Sequence, residues 1–110
     1  MTDVHAFCAA MPGAQLSFPF NEEIAVYKVG GKIFALTGVM DVESINLKAE
    51  PADVTGLVET HEAITRGFHM NKKHWITVRL TGDLPSGLLE ELIEDSYDLI
   101  VDKLPARDRP

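Results

Sequence analysis

Apolar residues near the start of the chain recur at Val4, Phe7, Cys8 and Met11, the i, i+3, i+4, i+7 spacing of one helical face, and Pro12-Gly13 ends the run. Thr2 is placed to cap this first helix, and Cys8 falls on its inward stripe. L-S-F-P-F over 16–20 reads as a short extended piece, with Pro19 marking an edge or irregular entry, before a turn at Asn21-Glu22-Glu23. Ile24 to Val29 and Lys32 to Val39 read as strands joined by Gly30-Gly31, whose freedom at positive φ suits a two-residue type I′ loop. That loop sets a register: Val29 opposite Lys32, Lys28 opposite Ile33, Tyr27 opposite Phe34, Val26 opposite Ala35 and Ala25 opposite Leu36. Tyr27, Phe34 and Leu36 then crowd one face.

Farther on, Ser44 to Lys48 alternates cleanly, Ile45 and Leu47 on one side against Ser44, Asn46 and Lys48, and predicts a third antiparallel strand. Pro51 suits the first position of a second helix with a narrow stripe of Val54, Leu57 and Val58, weakened by Gly56. A loop around Gly67 leads into a further strand, His74 to Leu80, closed by Thr81-Gly82-Asp83. Pro85 to Leu104 carries the longest helical pattern, with Leu88, Leu89, Leu92, Ile93, Ser96, Tyr97, Leu99, Ile100 and Leu104 inward and acids outward. Pro105 breaks it, and the patternless A-R-D-R-P tail is expected to fray.

Helix, antiparallel strands, helix, strand and long helix in that order predict an α+β two-layer sandwich. One domain spans residues 1–110, with the first and last helices together on one sheet face and the other face open. The chain has 110 residues, 45% of them hydrophobic, enough for one core. It lacks an 18-residue apolar run or a signal-peptide pattern, and it has one cysteine, which excludes an internal disulfide; the expected setting is the cytoplasm, with no membrane association.

Charge changes the picture more. Net charge is −7, yet Ala63 to Gly82 holds Arg66, Lys72, Lys73 and Arg79 with no carboxylate, while Asp83 to Asp102 holds seven acids with no Lys or Arg. The molecule is electrically two-sided. A broad nonspecific DNA or membrane footprint does not fit the net acidity. A local patch does: Arg66, Lys72, Lys73 and Arg79 can contact phosphates, and Phe68 or Trp75 can stack on a base, although Trp75 serves equally as a core plug rimmed by solvated lysines.

Catalytic signatures are absent: no G-x-S-x-G, H-E-x-x-H, C-x-x-C, P-loop or G-x-G-x-x-G occurs. Cys8, alone on a helical stripe, reads as an inert core thiol. His61, His69 and His74 match no metal-ligand spacing, so neither metal nor cofactor is expected. The acids of the last helix read as a solvated face.

P-G-A-Q-L-S-F-P-F, V-Y-K-V-G-G-K-I-F-A-L, I-N-L-K-A-E-P, G-F-H-M-N-K-K-H-W-I-T-V and D-S-Y-D-L-I-V-D-K-L, in this order, cover nearly the whole chain and resemble the MmcQ/YjbR family. The resemblance implies a CyaY-like (frataxin-like) α+β fold and a nonenzymatic domain of a family commonly labelled DNA-binding. It carries no catalytic residue. Its recurring positions are Lys28, Lys32, Phe34, Lys48, Gly67, His69, Asn71, Lys72, His74, Trp75, Ser96 and Tyr97. The expected anion- or DNA-binding set is therefore Lys28, Lys48, Arg66, His69, Asn71, Lys72, Lys73, His74 and Trp75, on a monomer. The alternative is a domain that recognises a protein partner or a small anion and has no nucleic-acid role.

Overall fold

The computed structural model describes residues 3–40, 42–67, 71–80 and 84–110. Its elements run α1 (Val4–Ala9), β1 (Gln15–Ser17), β2 (Ile24–Val29), β3 (Lys32–Gly38), β4 (Ser44–Lys48), α2 (Pro51–Thr60), β5 (Ile64–Arg66), β6 (Trp75–Arg79) and α3 (Leu88–Asp102), closed by a 3₁₀ turn at Ala106–Asp108. The six strands form one antiparallel sheet in the order β1-β2-β3-β4-β6-β5. With three helices the fold is α+β and fits a two-layer sandwich.

Alternation decides what the helices cover. Ala25, Tyr27 and Val29 of β2, Ile45 and Leu47 of β4, and Ile76 and Val78 of β6 join Val4 and Cys8 of α1, Val54 of α2, and Leu92, Ile93, Tyr97 and Ile100 of α3 in one core. Burying each large apolar side chain in that layer stabilises by about 1.5–3 kcal/mol.

The Gly30-Gly31 turn has φ of 58° and 80°, as its two-residue loop requires. Val29 faces Lys32 and Lys28 faces Ile33, in the expected register. Beyond them the pairing slips: Tyr27 faces Ala35, Val26 faces Leu36 and Ala25 faces Thr37. A β-bulge places one extra residue, Phe34, in β3. Phe34 stays in the core, edge-on to Tyr97. Leu36 is also buried, but it pairs with Val26 and leaves the face it was expected to share with Tyr27 and Phe34.

Three other expectations are corrected. Asp3 caps α1, its carboxylate accepting from Ala6 N–H at 3.1 Å; Thr2 lies outside the described residues. β5 is a strand that pattern reading left as loop, because three residues at a sheet edge show no periodicity. The tail does not fray: Arg109 donates to the Leu104 and Asp102 carbonyls, and the Pro110 ring reaches Gly13. The strand expected over His74 to Leu80 is Trp75–Arg79, and its closing Thr81-Gly82-Asp83 lies outside the described residues.

Candidate anion-binding site

In an antiparallel sheet, one strand's last residue neighbours the next strand's first. Lys28 and Lys32 flank the β2–β3 turn, Lys48 ends β4, and Lys72 and Lys73 precede β6, whose first residue, Trp75, pairs with Lys48. All of these positions lie at one end of the sheet. Arg66 ends β5 there, pairing with Ile76. Lys103, the C-cap of α3, joins them through a contact with Lys48. The chain's six lysines thus gather at one end. Arg79 does not belong to this group; it pairs with Ser44 at the opposite end.

The local structure that presents these cations is simple. Asn71 Oδ1 accepts from Lys73 N–H at 2.9 Å, and the Asn71 carbonyl accepts from the His74 and Trp75 amides. This asparagine-headed turn leaves Lys72 and Lys73 exposed. Lys72 Nζ reaches the Gly67 carbonyl at 3.4 Å, and the Arg66 guanidinium donates to Thr55 Oγ1 of α2 at 3.2 Å. His74 is half-buried, its carbonyl accepting from Ala49 N–H. Trp75, also half-buried, stands outside the core cluster on the face away from the helices, which removes the core-plug reading. Phe68 and His69 lie outside the described residues.

Lys28 and Trp75 share that outer face by alternation, being opposite in parity to Tyr27 and Ile76, whereas Lys48, the last residue of β4, lines a pocket with Asp95, Asp98 and Asp102 of α3. Lys48 is the most perturbed of the lysines. Burial lowers its pKa first, the adjoining Lys103 ammonium next and Lys32 after it, against an opposing pull from Glu50. The β4 end is fixed by Ser96 Oγ, which accepts from Lys48 N–H at 2.9 Å while donating to the Phe34 carbonyl at 2.6 Å. Ser96, expected on the inward face of the last helix, is thus a buried clamp between α3 and two strands.

At the other end of the sheet lie Glu23, before β2, Glu43, before β4, and Asp3, at the start of α1. A cavity of about 620 Å³ opens there between Asp3, His5, Val42, Leu80, Ser86 and Glu90. Sequence reading passed over His5. Its Nδ1 lies 2.7 Å from the Tyr27 hydroxyl and its Nε2 lies 2.9 Å from the Gly38 carbonyl. The signal that points to it is Tyr27 itself, a buried mid-strand phenol whose O–H requires a partner. Among the described residues no group of three or more His, Cys, Asp or Glu is arranged to hold a metal ion. Nor, among the described residues, is any helix long and apolar enough to cross a membrane.

A two-layer α+β sandwich with its sheet polarised by charge from end to end is the class that fold and site define. Residues 9–99 match the YjbR family, and the chain belongs to it. It is 42% identical over 100 residues to the uncharacterised protein YbdF of Escherichia coli O157:H7, covering 90% of this chain and 82% of that one. It is 32% identical over 112 residues to the uncharacterised protein YjbR of Escherichia coli K12, covering 99% and 93%. Among solved structures, Deinococcus radiodurans protein DR2400 superposes with a TM-score of 0.88 at 36% identity, over 96% of this chain and 82% of that one. A Pseudomonas syringae protein superposes at 0.72 and 28% identity, over 91% and 99%.

Proposed function

We propose that this YjbR-family domain is a nonenzymatic cytoplasmic binding module that takes anionic ligands at its lysine-rich end, duplex DNA phosphates first among them. The observation that carries the reading is the gathering of five lysines at strand ends beside Trp75, with Lys103 at the end of α3, in a chain whose net charge is −7. Core packing does not require it: Lys32, Lys72, Lys73 and Lys103 are exposed. Mutual repulsion there is relieved by a bound anion. We read the sandwich as CyaY-like in kind, from its helix–sheet–helix order.

Few phosphates fit so small a patch, so affinity should fall with salt at a log–log slope of about −2 to −4. Replacing Lys72 and Lys73 by Glu is expected to abolish duplex binding with little change in the thermal midpoint, because both side chains are exposed. Duplex binding unaltered in that variant, or absent from the wild type at about 50 mM salt, sinks the DNA reading.

The second reading, a small-anion or acidic-partner site without nucleic acid, is favoured by one pairing: the Lys103 ammonium lowers the Lys48 pKa, so the two cations are near enough to share one anion. Titration with pyrophosphate separates the two. Pyrophosphate binding lost in Lys48→Met, in a protein that ignores duplexes, selects the second.

A further inference from the structure

α2 and α3 lie on the same sheet face with a groove between them, formed by two adjoining pockets of about 290 and 430 Å³ that share Asp53, Leu57, Leu92 and Asp95. The groove has an apolar floor. Leu57 and Leu92 are core-facing, but Leu99, expected inward, is half-buried and lies outside the core cluster, so part of its apolar surface is open to the groove. The rim is predominantly acidic: Asp53 of α2, with Glu50 at its N-cap, faces Glu91, Asp95, Asp98 and Asp102 of α3, and Lys48 lines the end beside Glu50. Burial, and then the charges of Glu91, Asp98, Asp53 and Glu94 in turn, raise the pKa of Asp95.

A merely solvated acidic face leaves the charges apart and needs no apolar floor between them. This arrangement is instead an open apolar strip with a row of carboxylates on its α3 side and Glu50 and Asp53 on its α2 side. A compact hard cation is a poor fit, since no group of three or more ligating side chains converges among the described residues. A segment with cations beside an apolar ridge fits the sign and the shape together.

We propose that the α2–α3 groove is a docking site for an amphipathic segment of a partner protein, its apolar ridge on Leu57, Leu92 and Leu99 and its Lys or Arg side chains against the rim. The groove is acidic where the lysine-rich end is basic; Lys48 borders both, and docking in the groove does not depend on anion binding at that end. α3 runs 15 residues, about 22 Å, long enough to match four turns of a docked helix.

The probe is a synthetic peptide of about 14 residues with leucine at helical spacing and lysine elsewhere, against a scramble of the same composition. Methyl NMR of the whole protein is expected to show saturable shifts at Leu57, Leu92 and Leu99, with the patterned peptide about tenfold tighter than the scramble. Asp95→Asn with Asp98→Asn should weaken binding about tenfold and flatten its salt dependence, and Leu99→Ser should weaken it with the salt dependence unchanged. The double Asn variant removes repulsion and should keep the native spectrum, which guards against unfolding as the cause. Equal affinity for the scramble, shifts spread over the acidic surface, or a Leu99→Ser protein that binds normally overturns the proposal. Concentration-dependent shifts at the groove without peptide, removed by Leu99→Ser, overturn it in favour of a second copy of the chain.

Discussion

His5 on α1 and Tyr27 on β2, 22 positions apart, are joined by a 2.7 Å hydrogen bond that ties the first helix to the sheet. The Gly38 carbonyl can only accept, so His5 Nε2–H donates to it, and in the neutral ring Nδ1 accepts from the Tyr27 hydroxyl. One imidazole thus spans the α1, β2 and β3 segments. Tyr27 is 2% exposed, so removing the acceptor strands a buried phenol. His5→Ala is expected to cost about 1–3 kcal/mol in urea unfolding. Adding Tyr27→Phe should cost less than the sum of the two single changes, since the hydroxyl then has nothing left to lose. Strict additivity would show that the pair does not interact.

Ser96 invites a sharper test. Its hydroxyl is fully buried and makes two bonds, to the Phe34 carbonyl and from the Lys48 amide, where the bulge in β3 meets the end of β4. Ser96→Ala leaves both backbone groups unpaired and should destabilise by about 1–3 kcal/mol, whereas Ser96→Thr keeps the hydroxyl but forces a methyl into a packed site. Faster hydrogen exchange at the Lys48 amide in the alanine variant is the specific signature. An unchanged rate there would mean that the clamp is not formed.

Much of the fold was legible because its signals are local. Gly30-Gly31 defines its turn within two residues, Ile45 and Leu47 alternate within β4, and Pro51 opens α2 at the expected position. What escaped depends on distant contacts. The bulge at Phe34 answers to Tyr97 and Ser96 on α3, more than 60 positions away, and no hairpin rule anticipates it. β5 is too short for a period, and His5 has its partners on other elements. The lysines were legible as residues but not as a cluster: Lys103 was left out of the expected set because only the return of α3 to the hairpin end brings it to Lys48.

The two turn glycines should differ. Both have positive φ, and an alanine in that region costs about 1 kcal/mol or more. At Gly31 a Cβ meets nothing within 4 Å, so Gly31→Ala should cost about that much and no more. A Cβ on Gly30 comes within 2.5 Å of Leu104 Cδ1, a buried side chain, so Gly30→Ala should cost more as Leu104 is displaced. Equal midpoints in chemical denaturation would rule out the contact between the hairpin and the end of α3.

Cys8 is fully buried, and its thiol pKa is pushed up to about 12 by burial. A thiol reagent at pH 8 should therefore modify native protein only as fast as the protein opens, and at the ordinary rate in denaturant. The same shift sets an alkaline limit. Between the ordinary thiol pKa and about 12 the unfolded chain loses a proton that the native state keeps, so stability declines as pH rises through that window. Cys8→Ala should flatten this decline while lowering stability at pH 7 through the cavity it leaves.

Asp95 supplies the opposite substitution, one expected to stabilise. Its carboxyl is pushed above the usual range by burial and by Glu91, Asp98, Asp53 and Glu94, so the native state holds that proton more tightly than the unfolded chain does. Unfolding then releases a proton in the window between the ordinary aspartate pKa and the raised one. Stability therefore falls as pH rises through that window and stays lower at neutral pH. Asp95→Asn removes the charge at nearly constant shape. It should raise the thermal midpoint at pH 7, lose that advantage below the window, and show a smaller gain in molar salt, where the Debye length shrinks to about 3 Å. Loss of stability at pH 7 would mean that Asp95 has a favourable native partner and that the acids along the α2–α3 groove are not mutually repulsive.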